Sequence, residues 1–253
     1  TLGQAIADLE CGAGAVVTAS GMGAVTTVLH CLLQPGQVLL APHDCYGGSW
    51  RLFDALARKG HFELVLADLT DAAEAERAIR AHRPAVLWVE SPSNPLLRIS
   101  DIAALAALGH EVGALVVVDN TFCTPLGQRP LQLGADFVVH SATKYLAGHS
   151  DVVSGAVVCS TDAQVEQLAW WANCLGVTGG AFDSYLALRG VRTLHARMAV
   201  HEANAKAIVD LLDGHPSVAA VHHPSLPGHP GHELAARQQQ LFGGIVTFDL
   251  VGG

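Results

Sequence analysis

The apolar positions of this 253-residue chain fall into two kinds of run that alternate along it. Ala15 to Ala19, Gln37 to Ala41, Phe62 to Ala67, Ala85 to Glu90, Ala114 to Val118, Ala135 to His140 and Gly155 to Cys159 are short, nearly continuous apolar stretches. Such stretches suit strands buried on both faces. Gly21 to Leu33, Ser49 to Lys59, Ala72 to Ala81 and Asp101 to Val112 lie between the earlier ones and read as helices. Asp71 and Ser100 stand where a helix N-cap is needed, and Pro84 stops the third helix. The alternation predicts a mostly parallel sheet with helices on both faces. In such sheets, ligands bind beyond the carboxyl ends of the strands.

After Gly176-Val177-Thr178-Gly179-Gly180 the pattern changes. Ala181 to Arg189 and Thr193 to Leu212 read as helices, and Val218 to His222 and Gly244 to Leu250 as strands around the Pro- and Gly-rich loop 224–231. The expectation is a large domain over residues 1–202 and the beginning of a smaller C-terminal α/β domain over 203–253. Thr1 to Ile6 reads as a helix already under way, and the last strand runs into the terminus. The chain is therefore expected to continue at both ends.

Half of the residues are hydrophobic and only 15% are charged, so surface hidden in an oligomer is expected as well as a large core. The formal charge of -9, with no long basic run, argues against nucleic acid and anionic membranes as partners. No secretory pattern and no membrane-length apolar stretch is present. Cys11, Cys31, Cys45, Cys123, Cys159 and Cys174 form no C-x-x-C pair and read as small buried thiols of a reducing cytosol. A cytoplasmic protein is expected. His222, His223, His229 and His232 cluster, but no cysteine or carboxylate completes a zinc spacing, so no metal is expected.

Chemistry concentrates at strand ends. Lys144, in Ser141-Ala142-Thr143-Lys144-Tyr145, follows the strand ending at His140, and Asp119 follows the run Ala114 to Val118. A lysine that can form a Schiff base, hydroxyls that can hold a phosphate and an acid that can pair with a pyridine nitrogen are what a protein supplies to pyridoxal 5'-phosphate (PLP). Ser20-Gly21-Met22-Gly23, where a strand meets a helix, reads either as a tight turn or as a phosphate cradle. Tyr46, in a Gly-rich loop, either packs locally or lays its ring on a flat cofactor. Arg51 is either a solvated helix-face residue or a binder of a substrate carboxylate. Asn94, in Ser91-Pro92-Ser93-Asn94-Pro95, is presented near the crevice or simply serves a turn. The Gly12-x-Gly14 spacing lacks the third glycine of a dinucleotide fingerprint, which leaves a Rossmann oxidoreductase as the weaker alternative.

Together, several segments resemble the PLP-dependent enzymes of cysteine and methionine metabolism. They are Ala41-Pro42-His43-Asp44-Cys45-Tyr46-Gly47-Gly48-Ser49, Glu90-Ser91-Pro92-Ser93-Asn94-Pro95-Leu96, Val118-Asp119-Asn120-Thr121-Phe122, His140-Ser141-Ala142-Thr143-Lys144-Tyr145-Leu146 and Gly148-His149-Ser150-Asp151-Val152-Val153. Ala169-Trp170-Trp171-Ala172-Asn173 and the stretch Gly176 to Tyr185 look like the synthase branch of that family more than its lyases. The resemblance implies the aspartate-aminotransferase-like fold (fold type I) and a homotetramer built as a dimer of dimers. It implies γ-replacement joining an O-acyl-L-homoserine, O-succinyl first among them, to L-cysteine, giving L-cystathionine in methionine biosynthesis. The alternative is γ-elimination by a lyase of the family.

By resemblance Lys144 is the Schiff-base lysine and Asp119 the partner of the pyridine nitrogen. Gly21, Met22, Ser141 and Thr143 match the phosphate site. Tyr46 matches the ring-stacking tyrosine that also acts on protons. Asn94 matches a residue near the cofactor oxygen and the substrate carboxylate, and Arg51 one facing the distal acyl group. The family's Tyr-x-Arg element, which reaches a neighbour's phosphate, is expected before Thr1, and its carboxylate-clamping arginine after Gly253.

Overall fold

A computed structural model describes residues 1–252. The chain begins α1 (Leu2–Glu10), β1 (Gly14–Thr18), α2 (Gly21–Leu32), β2 (Val38–Pro42), α3 (Gly47–Arg58) and β3 (Glu63–Ala67). It continues α4 (Ala72–His82), β4 (Val86–Glu90), α5 (Ile102–Glu111), β5 (Leu115–Asp119), α6 (Thr124–Gly127), β6 (Phe137–His140) and β7 (Gly155–Cys159). The remainder is α7 (Asp162–Leu175), α8 (Ala181–Val191), α9 (Leu194–Leu212), β8 (Val218–His222), α10 (His232–Gln238) and β9 (Thr247–Leu250).

β1 to β7 form one seven-stranded sheet in the order β1-β7-β6-β5-β4-β2-β3. Pairing is parallel from β6 through β5, β4 and β2 to β3, while β7 runs antiparallel to both its neighbours. The mostly parallel expectation therefore holds with one reversed strand. Every residue of β4, β6 and β7 is buried, as a sheet covered on both faces requires. Trp88 and Phe53 meet edge to face at 5.3 Å in the core between this sheet and α2, α3 and α7. β8 and β9 pair antiparallel in a separate two-stranded sheet, reached through the 19-residue α9.

The caps show which local signals act. Asp71 Oδ1 accepts from the amides of Ala73 and Glu74, both at 2.9 Å, as its position predicts. Ser100 does not cap α5. Asp101 does, accepting from Ala104 N at 3.0 Å, while the Ser100 amide donates to Ser91 Oγ at 3.1 Å and its carbonyl accepts from Gln238. A carboxylate one residue closer to the helix outcompetes the hydroxyl. Helix α7 was not among the expected elements, although Thr161 and Gln164 form a capping box at its start. The thiols are unpaired, but only some are hidden: Cys11 and Cys174 are exposed. Burial pushes the Cys31 thiol up to about 11 and the Cys45 and Cys159 thiols up to about 12, so these three stay protonated and inert.

Candidate active site

The carboxyl ends of β4, β5 and β6 and the N-terminus of α2 open on one cavity of about 520 Å³. Its lining includes Gly21, Met22, Tyr46, Asn94, Asp119, Ser141, Thr143 and Lys144, residues drawn from five separate stretches of sequence. Of the expected site residues only Arg51 is outside this set; it lies exposed on α3, with its Nη1 close to Gly47.

One end of the cavity suits an anion. The first-turn amides of α2 point there, and those of Gly21 and Met22 have no intrahelical acceptor. Ser20 caps the helix through Gly23 N, at 2.9 Å. A Cβ on residue 21 would lie 2.8 Å from Ser141 Cβ, so glycine lets the helix end and the Ser141 hydroxyl adjoin. Thr143 is less free. Its hydroxyl donates to Ser154 O at 3.1 Å and accepts from Ser154 N at 3.0 Å, fixing the turn that carries Lys144. The Lys144 amide donates to Ser141 O at 3.1 Å, and the Lys144 carbonyl accepts from Gly148 N at 2.8 Å. Its amine has no carboxylate partner among the described residues.

The opposite end is acidic. Asp119 accepts from Thr121 N at 3.0 Å and stands half-buried in the cavity wall; burial raises its pKa, and the bonds from Thr121 oppose that rise. Glu90 is its direct neighbour across the β4–β5 ladder. Burial first, then the charges of Asp119 and Asp44, hold Glu90 well above the usual carboxylate range. Two buried carboxyls so close cannot both ionise cheaply. A cation placed against Asp119 would make it the charged member of the pair. Glu90 was not singled out from the sequence as a site residue. Its Oε2 accepts from Tyr46 N at 2.8 Å, which anchors the tyrosine loop to the sheet. The Tyr46 ring folds back over Gly48, where a Cβ would come within 2.4 Å of it, and remains 46% exposed, leaving a ring face available.

Behind the rim, Arg98 ties three loops together. It donates to Asp68 and Thr70, and approaches Asp44 Oδ2 at 3.6 Å; Ser93 Oγ also donates to Asp44, at 2.9 Å. Partial burial alone would raise the Asp68 carboxyl, but the bonds from Arg98 and Thr70 outweigh it and hold the group at about 2. A carboxyl depressed below its unfolded value of about 3.9 stabilises the fold fully above that value and loses the contribution as the pH falls. Asp68→Asn is therefore expected to lower the denaturant midpoint at neutral pH, with the gap to the parent closing from roughly pH 5 downward. Midpoints measured across that range check this, and a gap of constant size would show that Asp68 is not depressed. The histidine cluster is engaged in local contacts. His222 faces Asp249 at 2.8 Å, His223 Nδ1 lies 2.7 Å from Ser225 Oγ, and His232 Nδ1 donates to Pro224 O at 2.8 Å.

The fold and this cavity define a PLP-dependent enzyme of fold type I. The residues fit the cofactor: unpaired helix-end amides beside a serine hydroxyl, an acid in no ion pair among the described residues, and an unpaired lysine share one space. The family model described as "Cys/Met metabolism PLP-dependent enzyme" matches residues 1–253, and the chain belongs to that family. It is 56% identical over 249 residues to cystathionine γ-synthase of Escherichia coli, covering 98% of this chain and 64% of that protein. It is 45% identical to cystathionine β-lyase of Coxiella burnetii, with the same coverage of 98% and 64%. A crystal structure of cystathionine γ-synthase from Xanthomonas oryzae pv. oryzae in complex with cystathionine superposes with a TM-score of 0.98, at 57% identity, over 100% of this chain and 65% of that one. The chain thus spans a little under two thirds of the length of these relatives.

Proposed function

We propose that this chain supplies the cofactor-binding portion of an enzyme that joins an O-acyl-L-homoserine to L-cysteine by γ-replacement, giving L-cystathionine in methionine biosynthesis. The observation that carries the reading is the meeting of Lys144 and Asp119 on one cavity, in a chain 56% identical to a γ-synthase. The synthase-like stretch supports replacement over elimination. Thr178 bridges to Thr18, and Gly179 N donates to Val17 O at 3.1 Å, so this stretch runs alongside the strand that leads into the phosphate cradle.

When bound, PLP supplies an electron sink for negative charge developing beside the amino group of a substrate. The chain's residues do the rest. Lys144, as a neutral amine, takes the α-proton and moves protons between neighbouring carbons, a task that needs hydrogen-bond reach. Asp119 holds the proton on the ring nitrogen. The Gly21 and Met22 amides and the Ser141 hydroxyl hold the phosphate; Thr143 joins them by releasing its proton from Ser154 O. Tyr46 covers the ring and assists proton transfer, Asn94 serves the cofactor oxygen and the substrate carboxylate, and Arg51 faces the acyl group. Overall, the bond from the γ-carbon to the acyl oxygen breaks, a carboxylate leaves, and a carbon–sulfur bond forms as the thiol loses its proton.

Residues 1–202 would form the PLP domain and 203–253 the start of a smaller one, in a cytoplasmic homotetramer built from two dimers. Among the described residues, no helix is long and apolar enough to cross a membrane. Phe182 and Tyr185 stack at 6.4 Å while 70% and 61% exposed, and Trp170 is 60% exposed, which supports a surface covered by another subunit.

The test is a panel of O-acyl homoserines with and without cysteine, read by product identity. Cystathionine formed only with cysteine is expected. A keto acid and ammonia as the main products in the presence of cysteine would assign elimination instead. In the same panel, Arg51→Ala is expected to lose more activity with a carboxylate-bearing acyl chain than with an uncharged one, and equal losses would remove Arg51 from the acyl site.

A further inference from the structure

Arg197 is a guanidinium without a carboxylate within ion-pair distance among the described residues. It stands in the first turn of α9 and is half-buried, and burial lowers its pKa. Its donors go to neutral oxygens instead. Nη1 donates to Tyr145 O at 2.7 Å; Nη2 donates to Gly190 O at 2.8 Å and, more weakly, to Leu146 O at 3.4 Å; Nε donates to Thr193 Oγ1 at 3.0 Å. Tyr145 and Leu146 directly follow Lys144.

Two glycines make room for this arrangement. Gly148 has φ 73°, and a Cβ there would lie 2.0 Å from Arg197 Nη1. A Cβ on Gly190 would lie 2.0 Å from Ala147 O. The turn after Lys144 is thus pressed between the end of α8 and the start of α9, with the guanidinium filling the gap. One helical turn further along α9, the His201 ring lies 5.3 Å from the Tyr145 ring and grips the same turn a second time.

A partly desolvated cation with only neutral partners is costly unless its donors are well used. The planar guanidinium, with five donors in a fixed fork, sets the directions of several carbonyls at once, which an ammonium cannot do. We propose that Arg197 is a positioning residue for Lys144: by binding the carbonyls of Tyr145, Leu146 and Gly190 it fixes the backbone turn from which the lysine amine reaches the cofactor. The proposal rests on the role given to Lys144 above. It is separable from that role, because a fully active Lys144→Ala would overturn both, whereas an active Arg197 variant beside a dead Lys144→Ala overturns only this one.

The variants are Arg197→Met, which keeps an apolar stem without donors, and Arg197→Lys, both made in the full-length protein and loaded with PLP. Arg197→Met is expected to keep its cofactor content and a cooperative melt, with KM changed little and kcat down about 100-fold, the scale of an ångström-level misplacement. Capture of added PLP by the apo-protein, followed by absorbance and by borohydride fixation at Lys144, is expected to slow in parallel. Arg197→Lys, able to reach one carbonyl, should recover part of both rates. Wild-type kcat in folded Arg197→Met, or a loss that only tracks missing cofactor or unfolded protein, would overturn the proposal. If Arg197→Met does not fold, Arg197→Lys decides alone: kcat and capture equal to wild type would sink the idea, and a fall in both at unchanged KM would sustain it.

Discussion

Lys144→Ala is expected to leave a folded protein that binds PLP without fixing it and that turns over no substrate. The side chain is exposed to the cavity, and its amine pairs with no carboxylate among the described residues, so little packing is lost with it. Removing a positioned proton-transfer group costs about 100- to 10,000-fold by itself. In the proposed reading the same amine is also the point of covalent attachment, so the two losses combine. Borohydride should mark the parent at Lys144 and leave the variant unmarked, and the variant should lack the yellow absorbance of the lysine-bound cofactor. Lys144→Arg should fare no better, since a guanidinium stays protonated and cannot serve as the base. Full turnover by pure, correctly folded Lys144→Ala would remove the lysine from the chemistry and the PLP assignment with it.

The fold was legible where a signal is local. Continuous apolar runs between capped helices predict a covered sheet, and Asp119 and Lys144 are conspicuous because polar groups at strand ends face the ligand crevice. The reversal of β7 was not legible, because Gly155 to Cys159 is apolar on both faces whichever way it runs. Glu90 was hidden for a different reason. What makes it part of the site is an amide 44 residues away and a carboxylate on the next strand, and neither leaves a mark on its own neighbourhood. Arg197 is the extreme case, since it acts on main-chain carbonyls 51 and 52 residues earlier, and every residue type carries a carbonyl. Thr143 shows the converse: the hydroxyl stands out in the sequence, yet its first partners are the amide and carbonyl of Ser154.

Glu10→Ala is expected to be the most destabilising single change near the site, although Glu10 touches no part of the cavity. Glu10 and His140 are both fully buried. Glu10 Oε1 accepts from His140 Nε2 at 2.6 Å and from Asn120 Nδ2 at 2.7 Å. Asn120 in turn donates to Gln128 O at 2.9 Å, so α1, the end of β5, the segment after α6 and the end of β6 meet at one polar knot. His140 immediately precedes Ser141, and Asn120 follows Asp119. Breaking the knot therefore loosens both strand ends that present the proposed cofactor contacts. Removing one member of such a buried pair leaves its partners desolvated and unmatched, at roughly 3–5 kcal/mol. That is a large share of the ~5–15 kcal/mol that holds a domain folded, and it lowers Tm by about 10 °C in a protein of this size. Replacing both partners by apolar residues, as in Glu10→Leu with His140→Phe, should recover much of the loss, because no polar group is then stranded except Asn120, which keeps Gln128. Calorimetry on the single and double variants separates the cases. A double variant as unstable as Glu10→Ala would locate the cost in lost packing of α1 against the sheet, and a Glu10→Ala melt equal to the parent would show that the knot contributes nothing to stability.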